Sequence, residues 1–194
     1  MLNFPAPDAA SIDFLTPPEV LAEQLIGVRL LVNGVGGRIV ETEAYDRDDP
    51  ASHSFGGPTP RNAAMFGPPG RAYVYRAYGL HWCLNFVCRQ AGHGAGVLIR
   101  ALEPTDGLDL MRQRRSLTDL RLLCAGPGRL AQALGIERSF DGLPLERPPF
   151  QLLAPEPGLA LARVAGPRVG ISKAQDRPWR FGWAGSRFLS RPFR

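Results

Sequence analysis

Two pairs of strand-like runs, each joined by a turn too short for a crossover, point this chain to a mostly antiparallel sheet. Val28 to Val32 is the first run, Asn33-Gly34 is a hairpin turn signal, and Gly37 to Tyr45 is the return. Ala72 to Ala77 and Leu80 to Val87 form a second pair about Tyr78-Gly79. Gly79 supplies positive φ without steric cost, but Tyr78 is a poor residue for a type I′ turn, so the sequence leaves the turn type open. Ala95 to Leu102 follows the turn at Gly92 to Gly96, and residues 164–171 and 178–183 close the sheet. Thr16-Pro17-Pro18-Glu19 reads as a helix start with Thr16 as cap and Glu19 completing a capping box, before the stripe Val20, Leu21, Leu25, Ile26 and the stop Gly27. A second helix lies within Pro104 to Arg115, started by Thr105 or Asp106, and a third runs from Pro127 to Leu134. No repeat or linker divides the chain, which reads as one α+β domain over residues 1–194, with 1–15 and 186–194 as tails.

Composition narrows the function classes. The chain holds 22 Gly and 19 Pro, about a fifth of its length and short of the level that marks low-complexity disorder. No apolar run approaches a membrane span, and the start of the chain lacks the pattern of a signal peptide, so the sequence predicts a cytoplasmic, nucleoid-associated protein. Three cysteines, Cys83, Cys88 and Cys124, suit a reducing compartment and show no metal-ligand spacing; no metal or other cofactor is expected. The net charge of +5 is unevenly spread: residues 1–49 carry −6, residues 50–172 carry +6 and residues 173–194 carry +5. A basic body of this kind favours a polyanion, nucleic acid above all.

Four segments carry candidate chemistry. In Glu41-Thr42-Glu43-Ala44-Tyr45 a period of two puts Glu41, Glu43 and Tyr45 on one face, at the end of a strand that enters a long loop. A carboxylate there can act as a general base if it reaches a water; the plainer reading is a solvated edge. Residues 46–70, with five Pro and four Gly, form that loop and include His53. Three of the four tyrosines, Tyr73, Tyr75 and Tyr78, fall within six residues. Strand packing explains the first two; an aromatic at a hairpin tip beside Arg76 suits insertion between bases. Gly126-Pro127-Gly128-Arg129 opens a helix whose free N–H groups and Arg129 could hold a phosphate, although taken alone a plain turn accounts for it better.

Taken in order, these residues resemble the alkyladenine (methylpurine) DNA glycosylase family. The resemblance rests on Gly37-Arg38-Ile39-Val40-Glu41-Thr42-Glu43-Ala44-Tyr45, His53-Ser54, Thr59-Pro60-Arg61-Asn62, Tyr73-Val74-Tyr75, Tyr78-Gly79, Asn85, Val97 to Pro104, Gly126-Pro127 and Arg168-Val169-Gly170. It spans roughly residues 16–185. It implies a curved, mostly antiparallel sheet with flanking helices and a protruding β-hairpin. It also implies excision of alkylated or deaminated purines from double-stranded DNA. By this resemblance Glu43 activates the attacking water, and Arg100 and the Val169 carbonyl help hold it. Tyr45, His53 and Tyr75 sandwich the flipped base, Asn85 excludes the amino group of an undamaged guanine, and Tyr78 fills the gap in the stack. Leu80 and His81 stand where mammalian members carry other residues.

The chemistry fits these residue types. Breaking an N-glycosidic bond passes through an oxocarbenium-like sugar, and one carboxylate can both take the proton from water and stabilise that cation. Arg61, Arg76, Arg129 and the Arg-rich C-terminus are expected to hold phosphates. Backbone cleavage normally proceeds through an amine; the only lysine, Lys173, and the N-terminal amine both lie outside these motifs, which predicts a monofunctional enzyme. A monomer is expected. The rival readings are a non-catalytic nucleic-acid-binding module and an enzyme acting on nucleosides or RNA.

Overall fold

The computed structural model describes residues 11–193. Eight strands form one curled sheet in which every pairing is antiparallel: β1 (Arg29–Val32), β2 (Val35–Tyr45), β3 (Ala72–Ala77), β4 (His81–Cys88), β5 (Ala95–Asp106), β6 (Phe150–Leu153), β7 (Arg163–Gly166) and β8 (Arg180–Trp183). Their order is β3-β4-β5-β2-β1-β6, and β8 joins β2 beyond the end of β1, with β7 outside it. The long β2 therefore branches, pairing with β1 along its first half and with β8 at Glu41 to Glu43. Glycine makes the crowded half possible. A Cβ on Gly36 would lie 1.9 Å from the Leu30 carbonyl oxygen, and one on Gly37 would lie 1.9 Å from that of Glu103.

One face of the sheet is a hydrophobic core. Leu30, Ile39, Ala44, Val74, Leu84, Phe86, Val97 and Ile99 pack there against helices α1 (Pro18–Gln24), α2 (Leu108–Arg115) and α4 (Pro127–Leu134). The opposite face carries the residues in between, so the period of two separates core from site along β3, β4 and β5 up to Ile99, while in β2 the irregularity after Ile39 shifts the alternation. Among the described residues no helix is long and apolar enough to cross a membrane.

Several local expectations need correction. Thr16 does not cap α1: Pro17 is the residue before the first turn, with φ −53° and ψ 144°, and no side chain caps the helix. Pro18 at the first helical position holds Pro17 extended, which moves the start past Thr16. Thr105 and Asp106 do not start α2 but end β5, where Asp106 pairs with Arg29; Gly107, with φ 67°, turns the chain into the helix. The strand expected at 164–171 ends at Gly166, because Pro167 has no N–H to continue the ladder. Strand β6 and the short α3 (Leu120–Leu123), capped by Asp119, have no counterpart in the sequence reading. Of the expected tails, residues 1–10 and 194 lie outside the described residues. Within the rest of them, Phe14 is buried in the core and Ser190 is hydrogen-bonded to Glu41.

Candidate active site

One cross-strand row builds the site. Tyr73 lies opposite Asn85, Asn85 opposite Leu98, Leu98 opposite Glu43, and Glu43 opposite Arg180. Directly opposed residues share a face, so five strands contribute to one line of side chains on the side away from the core. Above it opens a cavity of about 570 Å³, the size of a small-molecule site. Of the residues expected in the site, Glu43, Arg100, Val169, Tyr45, His53, Tyr75, Asn85, Tyr78 and Arg61 all line it. Arg76 and Arg129 do not; both are exposed outside it.

Glu43 is fully buried at the base of this cavity. Its Oε1 accepts the Val169 N–H at 2.7 Å, and its Oε2 accepts the Tyr45 hydroxyl at 2.8 Å. Arg100 Nη1 stands 3.3 Å from Oε2. Burial raises the Glu43 carboxyl above its usual range, while Arg100, the Val169 amide and the Tyr45 hydroxyl pull it back. Burial also opposes the charge on Arg100, but Glu43 and Glu41 outweigh it and hold the guanidinium above its ordinary value. Arg100 reaches this position through an irregularity in the ladder. Glu41 pairs with Ala101 and Thr42 with Ile99, leaving Arg100 unpaired on β5. Such bulges re-aim side chains.

The walls are aromatic. The His53 and Tyr75 rings meet edge-on with centroids 4.4 Å apart, and His53 Nδ1 is 3.0 Å from the Tyr73 hydroxyl. Burial, and after it Arg61, keeps the His53 imidazole below its ordinary value. Burial pushes the Tyr73 phenol up to about 12 and also raises Tyr45 and Tyr75, so all three are neutral hydroxyls at neutral pH. Asn85 Nδ2 donates to the Tyr73 carbonyl at 3.1 Å, which fixes the amide at the cavity wall.

His53 owes its place to Asn62. The buried Asn62 amide donates to the carbonyls of His53 (2.8 Å) and Gly57 (3.1 Å), and its oxygen accepts from the Thr59 N–H (2.6 Å) and hydroxyl (2.9 Å). These bonds fold the Pro- and Gly-rich segment 46–70 into an ordered loop over Tyr75. At the cavity rim, Tyr78 forms the tip of the β3–β4 hairpin and is 88% exposed. Both Tyr78 (φ 51°) and Gly79 (φ 67°) are left-handed, the combination found at the centre of a type I′ turn.

Sequence reasoning did not find the supports. Arg168 is completely buried, pairs with Asp49, donates to the Ala44 carbonyl at 2.9 Å, and lies over the Tyr45 ring at 4.7 Å. It thereby ties the segment bearing Val169 to the strand bearing Glu43. Glu41 accepts from Arg100, Arg180 and Ser190. Partners so distant in sequence leave no local pattern; the adjacency of Arg168 to Val169 was the only available hint.

The arrangement is that of a buried carboxylate at the bottom of an aromatic-walled pocket, with an arginine beside it and a neutral asparagine on one wall. Residues 12–187 match the sequence profile of the family described as Methylpurine-DNA glycosylase (MPG). Three relatives carry the name "Putative 3-methyladenine DNA glycosylase". The protein of Nitrosospira multiformis is 67% identical over 95% of this chain and 94% of its own length. That of Rhodopseudomonas palustris is 62% identical over 89% of this chain and 86% of its own. That of Rhizobium meliloti is 58% identical over 95% of this chain and 97% of its own.

Proposed function

The chain belongs to the methylpurine-DNA glycosylase family and is a DNA glycosylase, a hydrolase of base repair; from that premise we propose that it flips alkylated or deaminated purines out of duplex DNA and hydrolyses their N-glycosidic bond with a water activated by Glu43. The substrate class is 3-methyladenine, 7-methylguanine, hypoxanthine and ethenoadenine. The observation that carries the reading is a buried, ionisable Glu43 in the lining of a cavity walled by Tyr45, His53 and Tyr75.

The steps follow from the residues. Flipping costs a few kcal/mol of unstacking and unpairing, and Tyr78 offsets part of it by taking the vacated place in the stack. The extruded base stacks against Tyr45, His53 and Tyr75, worth ~1–3 kcal/mol per base–aromatic contact. Neutral, electron-rich phenols suit a cationic alkylated purine. Asn85, held against the Tyr73 carbonyl, stands where the amino group of an unmodified guanine would collide. Each Glu43 oxygen already accepts one protein hydrogen bond, which orients the carboxylate while leaving acceptor capacity for a water. Glu43 takes the proton of that water as it attacks the anomeric carbon, and the same negative charge stabilises the oxocarbenium-like sugar. Arg100 and the Val169 carbonyl help hold the water. The single lysine, Lys173, is exposed and is absent from the cavity lining, in keeping with a monofunctional enzyme that leaves an intact abasic site. Arg61, Arg76 and Arg129 contact phosphates, and the protein acts as a cytoplasmic monomer on the nucleoid.

Single-turnover base release from duplexes holding hypoxanthine, ethenoadenine or 3-methyladenine tests this. Release from at least one duplex is expected, with release abolished and binding retained in Glu43→Gln. A Glu43→Gln variant that releases base at the wild-type rate would overturn the assignment. Binding to damaged DNA without release from any duplex would instead favour a non-catalytic binding module. Borohydride trapping of a protein–DNA adduct would refute the monofunctional mechanism.

A further inference from the structure

Behind Glu43 lies a polar cluster of which the mechanism uses only Arg100. Glu41 is fully buried. Its Oε1 accepts from Arg100 Nε (3.2 Å), Arg180 Nε (2.7 Å) and the Ser190 hydroxyl (2.8 Å), and its Oε2 accepts the Ser190 N–H (2.6 Å). The Ser190 hydroxyl also accepts from Arg100 Nη2 at 3.2 Å. Arg100 is thus held on two sides, at Nε by Glu41 and at Nη2 by Ser190. Its remaining nitrogen, Nη1, faces Glu43.

Ser190 comes from a strap, residues 186–193, most of which lies beyond residue 187, where the family match ends. The strap is anchored along its length. Phe188 is buried against Val40 and Ala101, the Arg187 carbonyl accepts from Arg121 Nε at 3.1 Å, and the Phe193 ring lies 3.9 Å from the Arg180 guanidinium. We propose that Ser190, delivered by this strap, is a positioning residue of the active site: with Glu41 it locks the Arg100 guanidinium so that Nη1 stays at Glu43. The proposal rests on the reading of Glu43 as the general base. A guanidinium on an irregular stretch of strand needs such a lock, because the ladder does not fix it.

The cluster makes a distinguishable prediction. The groups that face Glu43 are Glu41 and Tyr45 from β2, Arg100 from β5, Arg180 from β8, the Val169 amide, and Tyr75 and Cys83 from β3 and β4. Of these, the Ser190 hydroxyl touches only Arg100 and Glu41. Its removal loosens the one cation that contacts Glu43, so the base loses its charge at a higher pH.

The test is single-turnover base release across pH for the wild type, Ser190→Ala, Ser190→Thr and Glu43→Gln, on whichever duplex the wild type cleaves fastest. Loss of one half-buried hydroxyl that bonds both Arg100 and Glu41 predicts a rate about fivefold lower for Ser190→Ala. Its acid limb is expected to move up by about half a pH unit, with affinity for DNA unchanged and Ser190→Thr restoring both quantities. An acid limb that coincides with the wild type, whatever the rate or melting temperature, would overturn the proposal and reduce the strap to a cover. Undiminished release by Glu43→Gln would strike the underlying assignment instead, so the two failures separate.

Discussion

Replacing Tyr78 by glycine should pull stability and activity in opposite directions. Tyr78 is 88% exposed, so its removal forfeits little burial. It sits at φ 51°, a left-handed conformation that costs an L-residue roughly 1–2 kcal/mol. Glycine relieves that strain but gains freedom in the unfolded chain worth roughly 0.5–1 kcal/mol. The net effect lies between zero and about 1.5 kcal/mol of stabilisation, and for a chain of this size 1 kcal/mol moves the midpoint by about 2–4 °C. The melting temperature of Tyr78→Gly should therefore be unchanged or up to about 6 °C higher. Base release should fall, because the stack loses its plug: a stacking contact of ~1–3 kcal/mol corresponds to roughly fivefold to more than a hundredfold in rate. Thermal melts and single-turnover release, with Tyr78→Phe as a control that keeps the ring, measure both. A melting temperature several degrees lower would refute the strain argument, and a wild-type release rate would refute insertion into the stack.

Three further outcomes follow from the site. Because burial holds Glu43 above the usual glutamate range and the base must be ionised, activity is present above that raised pKa and lost as pH falls through it. The acid limb of release should lie above the ~4.3 of an exposed glutamate, and Arg100→Gln should move it higher; an unmoved limb would remove Arg100 as the charge opposing burial. Arg168→Met leaves Asp49 buried without its partner, which costs about 3–5 kcal/mol, or roughly 10 °C in a melt, and Asp49→Asn in the same chain should recover part of it. A loss under 2 °C would show the pair to be dispensable. Arg76→Ala and Arg129→Ala should each flatten the salt dependence of DNA binding by about one unit in log–log slope, and an unchanged slope would place that arginine away from phosphates.

The sequence was most informative where a periodic pattern met a turn signal. Alternation in β2 put Glu41, Glu43 and Tyr45 on one face, and in the structure all three point away from the core. It did not tell the two acids apart. Glu43 faces the cavity and Glu41 the cluster behind it, a distinction set by Arg100, Arg180 and Ser190 from three other segments. The β3–β4 hairpin was legible from Tyr78-Gly79, although propensity argued against a tyrosine at that turn, where Tyr78 takes φ 51°. Strand β6 stayed hidden between Pro148-Pro149 and Pro155, whose turn signals mask four apolar-rich residues that pair only with β1. The Asp49–Arg168 pair was invisible because its members lie 119 residues apart.

The row from Tyr73 to Arg180 ties correct folding to competence. Side chains alternate with a period of two, so a slip of one residue in any of its four pairings would turn site residues toward α1 and α4 and core residues toward the cavity. Such a slip would bury carboxylate and guanidinium groups where Leu84 and Ile99 now sit, and the sheet would not form. Misregistered molecules are therefore lost to unfolding and do not accumulate as folded, inactive protein. In a preparation of this enzyme, the active fraction should equal the folded fraction, and length changes should be confined to the connections between strands.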